Sequence, residues 1–159
     1  MSVSHPNLPS GFDPLRRFAF ADLLQRMEEK VPPSVLKLRI RNNIMDYLEL
    51  ASSPREQRDY ERRVPIAHIP NEMINQWEDC VPDQDFEWLS QPEFSADEKA
   101  AIERFTQVWE GVADETPDPM PSSIESLIGT PVWLRLMDAA KEALGVFLVR
   151  GRISETAVL

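Results

Sequence analysis

Few residues in this chain have the type and spacing to do chemistry. His68 and Glu72 lie four positions apart, the spacing that sets two metal ligands on one helical face, and Asp79, Cys80, Asp83 and Asp85 follow them. Pro70 falls between His68 and Glu72, and a proline of this kind marks the first turn of a helix. His68 is therefore expected outside the helix, capping or packing at its entrance. The carboxylates of Glu72, Asp79, Asp83 and Asp85 are of the hard-oxygen type that suits magnesium or calcium, but the DxDxDG spacing of a calcium loop is absent. No metal site and no cofactor are expected. Cys80 is flanked by Glu78, Asp79 and Asp83, whose charges oppose a thiolate, so it is expected to be a small buried hydrophobe rather than a nucleophile.

The established catalytic loops are missing as well. The five glycines form neither GxGxxG nor GxxxxGK[ST], and there is no GxSxG; a serine triad would have only His5 or His68 for its base. No catalytic residue set is expected. Two basic groups, Lys37, Arg39 and Arg41 and then Arg55, Arg58, Arg62 and Arg63, would be the start of a nucleic-acid surface. The formal net charge of −10 opposes approach to phosphate, so these side chains are expected to pair with the acidic middle segment, residues 64–98, of the same chain or of a second copy, which leaves a homo-oligomer open.

The charge is unevenly spread. Residues 1–63 hold eleven basic and nine acidic side chains, residues 64–98 hold nine acids and no lysine or arginine, and residues 99–159 hold six basic and nine acidic ones. Within the middle segment Trp77, Phe86, Trp88 and Phe94 alternate with carboxylates. Large aromatic contacts in a negative field suit recognition of a basic protein, since aromatic side chains are frequent hot spots and charge speeds association. Asp83, Asp85, Phe86, Glu87, Trp88 and Glu93 are the candidate partner-binding residues. Trp77 keeps helical phase with Met73 and Ile74 and is expected in the core instead.

The elements that position these residues read as helices. Phe20, Leu23, Leu24, Met27 and Val31 recur at helical spacing and place a helix at about 18–30, stopped by Pro32 and Pro33. Leu36, Ile40, Ile44, Leu48 and Ala51 place a second at 34–51, although Leu36–Arg41 also alternates with the period of a strand. Ser53, Pro54 and Glu56 start a polar helix through Arg63, and Pro70 opens another that ends near Cys80. Residues 81–94 keep no period and read as a long loop. Ser95 with Glu98 forms a capping box ahead of the stripe Ile102, Phe105, Trp109 and Val112; residues 113–123 read as a proline-rich linker. Ser122 with Glu125 begins a short turn of helix ended by Gly129. Thr130 and Pro131 begin the last helix, lined by Trp133, Leu136, Met137, Ala140, Leu144 and Phe147.

The expected fold is thus all-α: a single-domain bundle of five or six helices with a long acidic loop, an N-terminal arm over 1–17, a helical domain over 18–150 and a frayed tail over 151–159. An α+β alternative with one short hairpin would hold if Leu36–Arg41 and Val64–Ile69 were strands. With 42% apolar residues the chain has material for a core, and no apolar run approaches the roughly 20 residues of a membrane helix. One cysteine and a first stretch without a basic and apolar leader point to the cytoplasm. The expected function is an acidic, non-enzymatic protein-binding module of the inhibitor, immunity or adaptor-chaperone type, acting through residues 72–98. The alternatives are a carboxylate-based enzyme using a divalent metal and a helical nucleic-acid-associated regulator.

Overall fold

The computed structural model of the protein describes residues 31–81 and 86–159. The helix expected at 18–30 and the candidate residues Asp83 and Asp85 lie outside that range. Among the described residues the fold is six α-helices without a strand: α1 (Pro33–Ser52), α2 (Pro54–Arg63), α3 (Ile69–Cys80), α4 (Ala96–Glu115), α5 (Glu125–Ile128) and α6 (Pro131–Leu148). A 3₁₀ turn, Phe86–Trp88, lies in the acidic loop. The alternation in Leu36–Arg41 is therefore helical, and the hairpin alternative falls.

The helix starts follow from local chemistry. Ser53, Ser95 and Thr130 each accept a hydrogen bond from an amide in the first turn of α2, α4 and α6, and His68 does the same for α3 through Nδ1. Each such cap satisfies an orphan donor and contributes about 1 kcal/mol. At Ser95 the capping box is complete, because the Ser95 amide in turn donates to the Glu98 carboxylate at 3.1 Å. α4 continues to Glu115, two residues beyond Ala113, where the linker was expected to begin. It stops at Thr116, whose ψ of 149° is the extended value forced on a residue preceding proline.

α6 is the central helix, packed along α1 on one side and α4 on the other. Trp133, Leu136, Met137, Ala140 and Phe147 are buried on it as the spacing predicts, with Ala143 in place of the half-exposed Leu144. Three tryptophans tie helix pairs through their indole N–H groups. Trp77 of α3 donates to Thr106 of α4 at 3.0 Å, and Trp109 of α4 donates back to the Ile74 carbonyl at 2.9 Å. Trp133 donates to Gln57 of α2 at 2.9 Å, while the Gln57 amide donates to the carbonyls of Leu50 and Ala51. A buried indole contributes the burial of some 150–250 Å² of surface, roughly 4–6 kcal/mol before ordering costs, only if that N–H is satisfied. Trp77 also meets Phe105 edge-on and Tyr47 at a tilt, with centroids 4.6 and 5.3 Å away.

Residues 151–155 of the tail pack back onto the helices. Gly151, at φ 72°, takes the left-handed conformation that ends α6, its amide bonding the Phe147 carbonyl at 2.9 Å. Beyond it the chain crosses α1: Asn42 donates to the Ile153 carbonyl, Arg39 forms a two-bond pair with Glu155, and Arg152 pairs with Asp46 and Glu49. Sequence proximity offers no hint of these partners, which lie more than a hundred positions away.

Candidate functional site

The acidic loop is held to the body by apolar anchors and by one lysine. Val81, Leu89 and Phe94 are buried, and Phe94 packs edge-on against Phe147 of α6 with centroids 6.5 Å apart. Phe86 and Trp88 are half-buried against the core, one at each end of the 3₁₀ turn, and Glu87 between them points outward. Lys37 of α1 is the clamp: its ammonium lies 5.8 Å from the Trp88 ring centre, donates to Ser90 at 2.9 Å and sits 3.5 Å from the Glu93 carboxylate.

The structure thus separates the candidate partner-binding residues. Glu87 is 92% exposed, with Lys99 at 3.8 Å, and has the geometry to meet another molecule. Phe86 and Trp88 are half-buried and pack against the core. Glu93 is buried; its carboxylate faces Lys37 and its carbonyl accepts from Arg150 at 2.7 Å, so its bonds are made inside the fold. Glu78 and Asp97 are exposed acids of the same segment that were not among the candidates. Cys80 is buried at the end of α3, as its acidic neighbours imply, and His68 serves as the cap of that helix.

A cluster that sequence reasoning missed lies directly under this loop. Arg41 of α1 is fully buried and all five of its N–H groups are directed at acceptors. It donates to both Glu98 carboxylate oxygens at 3.1 and 2.8 Å, to the Gly151 carbonyl at 2.7 Å, to the Phe147 carbonyl at 3.4 Å and to the Met45 sulfur at 3.6 Å. Glu98 takes a second guanidinium as well, Arg150 at 2.6 and 3.1 Å, and Arg150 reaches on to the carbonyls of Pro92 and Glu93. Burial alone would push the Glu98 carboxyl up. The hydrogen bonds from Arg41, Arg150 and the Ser95 amide, with the charge of Arg41, outweigh it and hold the group below the usual carboxylate value. The capping-box spacing was the one available signal for Glu98, and it indicated a helix start rather than an ion cluster. The cluster joins α1, α4, the end of α6 and, through the Pro92 and Glu93 carbonyls, the acidic loop.

Several other basic side chains are also engaged, and Arg63 donates to the Asp59 carbonyl. Arg58 pairs with Glu125, Arg62 with Asp59, and Arg39 with Glu155. Lys37 and Arg41 pair with acids of the middle segment, as expected, whereas Arg39, Arg58 and Arg62 find theirs elsewhere in the chain. Among the described residues, no three histidine, cysteine or carboxylate side chains converge as metal ligands, and no helix is long and apolar enough to cross a membrane. Comparison of the chain with protein-family models, with curated proteins and with solved structures finds no match in any of them.

Proposed function

We propose that this protein is a non-enzymatic binding module of the inhibitor, immunity or adaptor-chaperone type, recognising a basic protein through the loop between α3 and α4. The observation that carries the proposal is the Phe86–Trp88 turn, where an almost fully exposed carboxylate stands between two half-buried aromatic rings on a rigid base. An aromatic anchor beside an exposed charge suits a hot spot with electrostatic steering. Exposed Glu78 and Asp97 add negative charge to the same segment, in which residues 64–98 contain no lysine or arginine. A nucleic-acid role is less well supported, because Arg58 and Arg62 are paired with carboxylates of this chain. A single cysteine fits a reducing compartment, and the cytoplasm is the proposed place of work.

The test is capture of partners from source lysate at low and high salt with three baits: the unaltered chain, Glu87→Lys and Trp88→Ala. The expected result is a basic protein retained at low salt by the unaltered chain and lost from both variants. Recovery of neutral or acidic proteins alone, or of the same basic protein with all three baits, would overturn the proposal.

A further inference from the structure

A second concave surface lies at the other end of α4. Pro117, Pro119 and Pro121 of the linker, with Leu127 of α5 and Val132 of α6, line a groove of about 430 Å³. That volume lies within the range of roughly 300–1,000 Å³ typical of ligand pockets. The groove is preformed, because each of its supports is tied down. Glu61 of α2 accepts from the Ser123 hydroxyl at 3.0 Å and from the Ile124 amide at 2.8 Å, Arg58 holds Glu125, and Arg135 holds Glu115 at the rim. Three proline rings add walls with little conformational freedom to lose on binding.

Charge identifies the occupant. Between Arg104 and Arg135 the chain has five carboxylates, Glu110, Asp114, Glu115, Asp118 and Glu125, and no lysine or arginine. Two of the five are ion-paired, Glu115 of the groove wall among them, whereas Asp114 and Asp118, chain neighbours of the lining residues Glu115, Pro117 and Pro119, are exposed, as is Glu110. We infer that this groove docks an apolar side chain presented on a lysine- or arginine-rich peptide segment. The apolar residue fills the space between the prolines and Val132, and the flanking cations face Asp114 and Asp118. α4 has 20 residues and spans about 30 Å at 1.5 Å per residue, which separates the groove from Glu87 near its start. The inference is therefore independent of the surface proposed above, and a large basic partner would reach both.

The probe is a fluorescein-labelled lysine-rich peptide with one central tryptophan, titrated by fluorescence anisotropy, beside a twin with serine at that position. The expected result is saturable binding that weakens about tenfold or more in the twin, as loss of a hot-spot side chain does, and that falls with salt. Val132→Lys and Asp118→Lys should each weaken it similarly, while Glu87→Lys leaves it unchanged. Asp118 is exposed, so its variant decides the matter if Val132→Lys does not fold. Absence of binding to the unaltered chain, equal binding of both peptides, or loss with Glu87→Lys in place of Asp118→Lys would overturn the inference. That last outcome would leave the surface around Glu87 standing.

Discussion

Replacing Glu98 with glutamine should destabilise the protein far more than removing any exposed carboxylate. Glu98 and Arg41 have side chains 1% and 0% exposed, and the carboxylate accepts four bonds from two guanidinium groups and one from the Ser95 amide. In Glu98→Gln the size is kept, but Arg41 stays buried with its countercharge removed and Arg150 loses its main acceptor. Breaking a buried pair from one side costs about 3–5 kcal/mol, against a total stability of about 5–15 kcal/mol for a domain. With a urea dependence of about 2 kcal/mol per molar, the unfolding midpoint should fall by roughly 1.5–2.5 M. Buried Trp77, Trp109 and Trp133 give a fluorescence signal for the titration. The control is Glu125→Gln, which breaks the exposed pair with Arg58 and should cost under about 1 kcal/mol. The double variant Arg41→Met, Glu98→Leu should recover much of the loss, since well-packed apolar residues often replace buried ions without penalty. If Glu98→Gln shifts the midpoint no more than Glu125→Gln, the cluster does not hold the loop, and the account of a rigid base for Glu87 fails.

The same carboxylate sets an acid limit. Its folded pKa is lowered from the ordinary 4.5, so its contribution is complete above that pH and is lost as pH falls through the lower folded value; acid titration of stability should show a shallower fall in Glu98→Gln than in the unaltered chain. Gln57→Leu leaves the Trp133 N–H and the Ala51 carbonyl without their Gln57 partner and should cost about 1–3 kcal/mol, with a change in Trp133 emission; a neutral effect would mean that α2 does not anchor α6. Gly151→Ala should cost about 1–2 kcal/mol through its positive φ alone, because no atom lies within 4 Å of the added methyl, and hydrogen exchange in residues 151–157 would report the loosened tail.

The helices of this protein were legible in its sequence because their determinants are local. Ser53 with Pro54, Ser95 with Glu98 and Thr130 with Pro131 place three helix starts correctly, since a cap acts on amides only two or three residues away. The apolar series on α1, α4 and α6 identifies the packed faces for the same reason: helical period converts spacing directly into a side. The order of nine carboxylates in residues 64–98 was equally plain.

Which carboxylates face solvent was decided only by tertiary structure. Glu87 and Glu93 looked alike in the sequence; one stands in water and the other is closed over by Lys37, fifty-six positions earlier. Arg41, Glu98 and Arg150 meet because α1, α4 and α6 converge, and neither spacing nor composition encodes a contact between residues 57 and 52 positions apart. The tail shows the same division, with its charges visible in sequence and their partners on α1 supplied by the fold. Local hydrogen bonds and periodicity act along the chain, whereas the pairing of buried charges depends on desolvation and on distances that exist only once the helices have packed.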